Sequence, residues 1–260
     1  MARTSRWRIF DEDHGGARIE LSDWKYFSEL IRNFLNVFDR TTTVWRGHAA
    51  AKWKLESTLE RGARIAKVKL TPEVSAKHLA RFKLAARGRR GISPVSLASD
   101  DEWWALGQHF GLSTPLLDWT ASPFVALYFA FLSNENDGDG HRAVWGLNRR
   151  NVESAARIAR KVNPDAPIVE FIEPLSDENA RLVNQGGLFT KAPDDRGIIE
   201  WIHEHFAADE QVGSFVKIVI PNRGREDCLR MLARMNITHL SLFPDLYGAS
   251  KHCNAQLLDP

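Results

Sequence analysis

The sequence predicts an α+β fold: a single domain with a small, mostly antiparallel sheet core and surrounding helices. Segments with a helical period of apolar residues alternate irregularly with short segments rich in β-branched and aromatic residues. No glycine-rich loop of the dinucleotide-binding or Walker type is present, so a regular βαβ series is not indicated. The 260 residues, 43% hydrophobic and 26% charged, contain neither an internal repeat nor a long linker. This length is enough for one large core.

The first half of the chain predicts an N-terminal extension over 1–20 and the start of a domain that spans 21–260. Apolar residues recur every three or four positions between Leu21 and Phe38, which predicts a helix. The further elements expected up to residue 133 are a strand at 41–48, a helix at 71–87, a loop at 88–94, a helix at 100–110 that stops at Gly111, an extended segment at 113–119, and a helix at 124–132 capped by Thr120 or Ser122.

The second half of the chain continues the same irregular alternation. The clearest strand is GSFVKIVIP, at 213–221, because β-branched residues dominate it. The other expected elements are a loop at 134–140, a strand at 141–149, a helix at 151–162, a strand centred on 188–190, a short helix at 194–206, a helix at 224–237, and a turn with a final helix at 238–253.

Charge and cysteine content limit the classes of protein to which this sequence can belong. The net charge of +2 gives no overall argument for nucleic acid or membrane. Residues 61–90 nevertheless carry ten Lys and Arg against one acid, Glu73. That segment is either a solvated helix face or a contact surface for phosphate or an acidic partner. Two distant cysteines, no apolar leader and a longest apolar run of only 124–132 predict a cytoplasmic protein without a metal site or membrane contact.

Arg46 and Asp118 are the two charged residues with the most suggestive surroundings. An arginine beside Gly47 at a strand end can hold a phosphate or carboxylate, and the glycine lets a ligand approach the backbone. The alternative for Arg46 is a buried structural salt bridge. Asp118 is flanked by apolar residues and is expected to be partly buried, either as a helix cap or as a catalytic residue. Arg46 or Arg61 is its expected long-range partner.

More polar residues precede the apolar helix at 124–132 than are needed to cap it. Its cap needs only Thr120 or Ser122. His109, at a helix end, can simply satisfy the last carbonyl groups of that helix. Taken together, however, the remaining polar groups indicate the floor of a pocket whose opposite wall is Arg46; they are Gln108, His109, Asp118 and Trp119.

Three stretches resemble the FRG domain family, a bacterial and phage group named for a (F/Y/W)-R-G motif. The first is WRGH at 45–48, and the second and most specific is QHFGLSTPLLDWTASPFVALYFA at 108–130. The third is a pair, NQGGLF at 184–189 with SLFPDLYG at 241–248. The resemblance extends over most of the chain, from roughly residue 25 to residue 253.

The family pattern is similar in turn to the layout of arginine-type ADP-ribosyltransferases. In that layout a first strand carries an Arg-Gly pair, a second carries Ser-Thr-Ser before a helix, and a third carries a glutamate. Arg46 and Gly47 match the first strand, and residues 118–122 followed by VALYFA match the second. Gln185 of NQGGLF stands where the third strand would carry the glutamate.

This resemblance implies a NAD-dependent mono-ADP-ribosyltransferase, a toxin or defence effector that modifies protein or nucleic acid and has an antitoxin or operon partner. The residues it implies for NAD binding are Arg46, Gly47, Gln108, Trp119, Thr120, Ser122 and Phe189. Those it implies for catalysis are Arg46, His48, His109, Asp118, Thr120 and Gln185.

The expected roles follow the chemistry of each side chain. Arg46 orients the phosphates, Trp119 or Phe189 stacks on nicotinamide, and His48 or His109 acts as a base toward the acceptor. Thr120 and Ser122 hold the ribose or support Arg46. Gln185 can hold the ribose but cannot stabilise the positive charge that develops on it. Asp118, Glu178 and Asp245 are candidates for the missing carboxylate.

Three other interpretations stay open at the level of sequence. A degenerate relative would bind a nucleotide or a nucleic-acid end without turning it over, which Gln185 and the basic segment 61–90 favour. A hydrolase or nuclease would use His109 and Asp118. A partner-binding module, such as the regulatory half of an operon pair, would have no pocket.

Overall fold

Eight strands of the described chain form one sheet with helices on both faces. The computed structural model describes residues 5–12, 14–33, 42–91, 94, 96–133, 139–174, 184–194, 196–207 and 213–258. The strands are β1 (Trp7–Glu12), β2 (Gly16–Leu21), β3 (Thr43–His48), β4 (Leu116–Thr120), β5 (His141–Asn148), β6 (Glu170–Ile172), β7 (Gly187–Lys191) and β8 (Phe215–Pro221). Their order in the sheet is β1-β2-β8-β5-β3-β4-β7-β6, and all pairs are antiparallel except β2 with β8.

The helices of the described ranges surround this sheet and complete a single α+β domain, which confirms the expected fold class. They are α1 (Phe27–Asn33), α2 (Thr58–Ala66), α3 (Pro72–Ala85), α4 (Asp100–His109), α5 (Pro123–Leu132), α6 (Arg149–Val162), α7 (Ile198–His205), α8 (Arg225–Arg234), α9 (His239–Leu242) and α10 (Leu246–Leu258). None of the helices in these ranges is long and apolar enough to cross a membrane.

α5 is the central helix on one face of the sheet. Pro123 lies in its first turn, and Ser122 caps it by accepting a hydrogen bond from the Val125 amide. Four of its residues are completely or almost completely buried: Ala126, Leu127, Ala130 and Phe131. The helix packs on β3 and β5, while α6 and α7 cover part of the opposite face. The sheet is therefore buried on both sides over its centre.

The sheet is nearly divided between β3 and β4. These two strands share one residue pair, Trp45 with Thr120. In contrast, β3 pairs with β5 through six residues, and β4 pairs with β7 through five. The missing ladder between β3 and β4 leaves a gap in the sheet beside Arg46.

Several elements differ from those that the sequence predicts. Residues of the expected extension form β1 and β2 of the common sheet, joined by a turn in which His14 and Gly15 have positive φ. The helix expected over 21–38 begins only at Phe27, because Leu21 ends β2, and residues 34–40 lie outside the described part. We predicted neither α2 nor β6. The sheet is thus larger than expected.

Candidate functional site

A pocket of about 440 Å³ opens where β3 and β4 separate, with α4 and α5 at its sides. Its size is in the range of small-molecule sites. Nine of the eleven residues expected at the site line it: Arg46, Gly47, Gln108, His109, Asp118, Trp119, Thr120, Gln185 and Phe189. His48 and Ser122 are not among its lining residues. Stretches that are far apart in sequence thus meet at one cavity.

Arg46 bridges the gap between the two strands. Its Nη1 donates to the main-chain oxygen of Asp118 at 2.8 Å and lies 3.4 Å from the Asp118 carboxylate. Its Nε donates to His48 Nε2 at 3.2 Å. Arg46 is therefore the long-range partner expected for Asp118. Within the described residues Nη2 makes no hydrogen bond, so one edge of the guanidinium is left for a ligand.

Asp118 is more accessible than its apolar neighbours predict. Its side chain is 55% exposed, whereas that of Arg46 is 22% exposed. The expectation of a partly buried carboxylate was wrong because Asp118 alternates with Leu117 and Trp119, which face the core instead. Burial lowers the pKa of Arg46, and the nearby Asp118 carboxylate opposes this shift. Arginine stays protonated in proteins, so the pocket presents a fixed cation beside an accessible carboxylate.

His48 holds Arg46 and is not suited to act as a base. Only 6% of the residue is exposed. Burial, followed by the Arg46 charge, lowers the pKa of its imidazole to about 3. Its Nε2 lone pair already accepts the hydrogen bond from Arg46. The expected role of His48 as a base toward an acceptor was therefore wrong, which leaves His109 as the histidine that lines the pocket.

The buried neutral state of His48 predicts a dependence of stability on pH. Its folded pKa of about 3 lies below the ordinary value of 6.5, so this contribution is complete above about pH 6.5 and is lost as the pH falls toward 3. Each proton taken up on unfolding corresponds to about 1.4 kcal/mol per pH unit. Urea unfolding between about pH 5 and pH 7.5 should show a shallower pH slope for His48→Gln than for wild type. Equal slopes in these two proteins, with exposed His141→Gln as the control, would contradict the assignment.

Gly47 is needed for the packing of α5 on β3. A Cβ atom there would lie 2.0 Å from the main-chain oxygen of Ala126 and 2.5 Å from the amide nitrogen of Ala130. The backbone that approaches Gly47 is therefore that of α5. The helix takes the space on the Cβ side of Gly47, while Gly47 also lines the pocket and its contact with a ligand stays a prediction.

The two aromatic residues expected to stack on nicotinamide differ in position. Trp119 is 3% exposed, and its Nε1 donates to Thr190 Oγ1 at 2.7 Å, which ties the indole to the core. Phe189 pairs with Asp118 across the β4–β7 ladder, so it shares the face of that carboxylate. Phe189 is nevertheless 4% exposed, so the two rings are equally buried and both line the pocket.

Thr120 and Ser122 hold the protein backbone. Thr120 Oγ1 donates to the main-chain oxygen of Gln185 at 2.5 Å and accepts from the Ser122 amide at 3.1 Å. Ser122 is the cap of α5 and does not contact Arg46 through a hydrogen bond that the described residues show. Ser122 is not among the lining residues of the pocket, and its expected contact with the ribose stays a prediction. Thr120 acts instead by placing Gln185 at the pocket wall.

One end of the Gln185 side chain already forms a hydrogen bond within the protein. Its Nε2 donates to the main-chain oxygen of Leu242, at the end of α9, at 3.2 Å. This contact fixes the neighbouring Phe243 as a second part of the wall, where it meets Phe129 edge to face at 6.0 Å. Gln108 is similarly held, since its Oε1 accepts a hydrogen bond from Thr114.

Four aromatic lining residues were missed as site residues: Trp45, Trp53, Phe129 and Phe243. Phe129 lies in VALYFA and Phe243 in SLFPDLYG, so the motifs contained them without marking them as part of a pocket. No sequence signal singled out Trp53.

Only one carboxylate lines the pocket among the described residues, and it is Asp118. Asp245 accepts a hydrogen bond from the Gly248 amide at 2.8 Å and starts α10 instead. Glu178 lies outside the described residues. Of the three candidates for the missing negative charge, the geometry favours Asp118.

The family model of the FRG domain matches residues 41–139. This range confirms the resemblance for WRGH and for the stretch at 108–130, and it contains β3, α2 to α5 and β4. NQGGLF and SLFPDLYG lie beyond it. No curated protein and no solved structure matches the chain.

Proposed function

We propose that this protein, which has an FRG-domain match over residues 41–139, binds NAD at Arg46 and transfers its ADP-ribosyl group to an acceptor. We place it among bacterial or phage toxins or defence effectors, with protein or nucleic acid as the acceptor. The observation that carries the proposal is the meeting of three motif stretches on adjacent strands β3, β4 and β7 around one pocket. These stretches bring Arg46, Thr120 and Gln185 together.

Arg46 provides the contact for the NAD phosphates. A guanidinium offers planar donors that suit a phosphate, and such charge-assisted hydrogen bonds are strong. Asp118 and His48 hold two of its nitrogens, so the third is already oriented before the ligand arrives. Preorganisation of this kind reduces the cost of binding.

Asp118 provides the negative charge that the reaction needs. The bond between ribose C1′ and the nicotinamide nitrogen breaks, its electron pair leaves with nicotinamide, and positive charge develops on the ribose. The acceptor's nucleophile then bonds to C1′ and loses its proton to His109. A fixed carboxylate stabilises the charged ribose electrostatically, while Gln185 Oε1 can accept from a ribose hydroxyl.

Release of nicotinamide from NAD tests these two roles. Asp118→Asn should lower the rate about a hundredfold, because it removes the only pocket carboxylate of the described residues. Gln185→Ala should also lower the rate, because it removes the Oε1 acceptor for a ribose hydroxyl. Asp101→Asn is the control, since Asp101 pairs with Lys191 and does not line the pocket. An unchanged rate in Asp118→Asn, with NAD still bound, would contradict the mechanism.

A second candidate function is binding of a nucleotide without turnover. It is favoured by the existing contacts of the pocket groups: Asp118 already faces Arg46, and the Gln185 amide already donates to Leu242. NAD would then protect the protein against unfolding and would not be consumed. Nicotinamide release therefore separates the two functions.

A further inference from the structure

The outer side of α3 carries four exposed residues at the spacing of a helix–helix contact. They are Val74, Lys77, Arg81 and Leu84. Residues spaced alternately by three and four positions lie along one side of a helix, as the contact positions of a coiled coil do. At about 1.5 Å per residue, the four residues span about 15 Å of the helix. We call these four residues the α3 row.

The opposite side of α3 is fixed in the core. Ser75 and Leu79 are buried, and Phe82 meets Trp103 of α4 edge to face at 6.3 Å. Leu79 and Phe82 belong to the same apolar cluster as Leu59 of α2. Because this packing sets the rotation of α3 about its own axis, the α3 row is held on the solvent side of the helix.

The two apolar members of the α3 row are exposed although α3 has a buried side for such residues. Leu84 is 63% exposed and Val74 is 37% exposed. By their positions on the helix, Lys77 and Arg81 lie between them, and long basic side chains have aliphatic stems that can pack against apolar groups. A solvated basic face has no need of aliphatic residues at both ends. The α3 row therefore has the composition of a contact surface.

The α3 row belongs to a segment with a large excess of positive charge. Among the described residues, Lys77 and Arg81 form no ion pair, and neither do four further exposed cations of the segment 61–90: Arg61, Lys67, Lys69 and Arg87. Glu73 is the single acid of that segment. An acidic partner would therefore be attracted to this side of the protein.

An acidic amphipathic helix fits the α3 row better than the other anionic partners do. A nucleic acid would use the two cations and leave Val74 and Leu84 without a contact, since its phosphates are the groups that meet cations. A helix that lies on a membrane needs a continuous apolar face, and the centre of this row is basic. A second copy of α3 would bring like charges together at that centre. A helix with carboxylates at its centre and aliphatic residues at its ends makes use of all four side chains.

We infer that the α3 row docks a partner protein through an acidic amphipathic helix. Carboxylates of that helix meet Lys77 and Arg81, and its aliphatic side chains meet Val74 and Leu84. The inference goes beyond the proposed function and does not rest on it, because no residue of the row lines the Arg46 pocket. α3 nevertheless packs on α4, whose last turn lines that pocket, so the partner would lie one helix away from it.

Fluorescence anisotropy with a labelled, designed helical peptide of about 21 residues tests the inference with the full-length protein. The peptide carries Leu, Glu, Glu and Leu at the spacing of the α3 row and should bind saturably. Lys77→Glu and Arg81→Glu should each weaken binding about tenfold, because each places a like charge against the peptide. Lys161→Glu makes the same change of charge at an exposed position of α6 and is the matched control, with no expected effect.

An exchange of charge tests whether the contact is direct. A second peptide, with Lys in place of both Glu, should prefer the double variant Lys77→Glu, Arg81→Glu over wild type, which reverses the order of the first peptide. Leu84→Ser should weaken binding of the first peptide about tenfold, because the leucine is no longer available for burial. Leu84 is exposed in the free protein, so the fold does not depend on it. Circular dichroism checks that each variant is folded.

Three results would overturn the inference. They are no binding of the first peptide at low salt, an equal loss of affinity in Lys161→Glu and Lys77→Glu, and tighter binding of duplex DNA or phosphatidylserine vesicles than of the peptide, with the same dependence on Lys77 and Arg81. The outcome is separate from that of the proposed function. Peptide binding without NAD binding contradicts only the proposed function, and NAD turnover without peptide binding contradicts only this inference.

Discussion

Replacing Gly47 with alanine is expected to lower the free energy of unfolding by about 3 kcal/mol, the upper range for an overpacked core. The new methyl group would lie 2.0 Å from the Ala126 oxygen and 2.5 Å from the Ala130 nitrogen. Both atoms belong to the backbone of α5, so no side-chain rotation relieves the clash. Either the helix moves away from β3 or β3 bends, and both changes disturb Arg46 next to it.

Gly62→Ala is the matched control for this prediction. Gly62 lies within α2, and a Cβ atom there meets nothing within 4 Å. Alanine is favoured over glycine inside a helix, so this variant should be more stable than wild type by about 0.8 kcal/mol. Urea unfolding of both variants measures the difference. Equal stabilities would show that the packing of α5 on Gly47 is looser than described.

Replacing Arg46 with lysine or alanine is expected to lower the affinity for NAD about a hundredfold. Lysine keeps a positive charge but loses the planar donor set that joins His48, the Asp118 carbonyl and a ligand. Alanine also leaves the Asp118 carboxylate without its partner. The loss corresponds to about 2.7 kcal/mol of binding free energy, typical of a charged hydrogen-bonding group.

Thermal shift at increasing NAD concentration measures this loss. Wild type should be stabilised by NAD, because a ligand that binds only the folded state raises its stability. Both Arg46 variants should lose most of that stabilisation. Arg61→Ala is the control, because Arg61 is close enough for its charge to act on Arg46 but does not line the pocket. If NAD stabilised Arg46→Lys as much as Arg61→Ala, a positive charge at position 46 would be sufficient for binding and the planar donor set would not be needed.

The fold could be predicted from the sequence where local signals are strong. Thr71 and Ser122 cap their helices, and Gly111 adopts positive φ after α4, as their positions suggest. The hairpin of β1 and β2 was missed although residues 17–21 of β2 alternate between apolar and polar residues, because β1 breaks that alternation where Ile9 is followed by Phe10. α2 was missed although Ser57 and Glu60 form a capping box, because its residues are mostly polar and small.

The sequence predicted which residues form the site better than it predicted what each of them does there. An excess of polar groups around residues 108–120 indicated a pocket, and Arg46 does lie opposite Asp118. The roles of Gly47 and His48 depend on which backbone and which side chain come near them. Those distances are set by the packing of α5 on β3, which pairs residues about eighty positions apart. The local sequence does not determine those distances.

The alignment of side chains across β1, β2, β8 and β5 could not be predicted from the sequence for the same reason. Phe10, Arg18, Lys217 and Trp145 become neighbours only through the register of β1, β2, β8 and β5. The basic segment 61–90, which is conspicuous in the sequence, lies in and around α2 and α3, where several of its cations are exposed.

Calorimetric titration of wild-type protein with NAD measures whether the Arg46 pocket binds this ligand. We expect saturable binding at one site per chain, with the heat lost in Arg46→Ala and kept in Arg61→Ala. A folded protein that shows neither heat nor thermal stabilisation with NAD would contradict both the transferase and the binding of NAD without turnover.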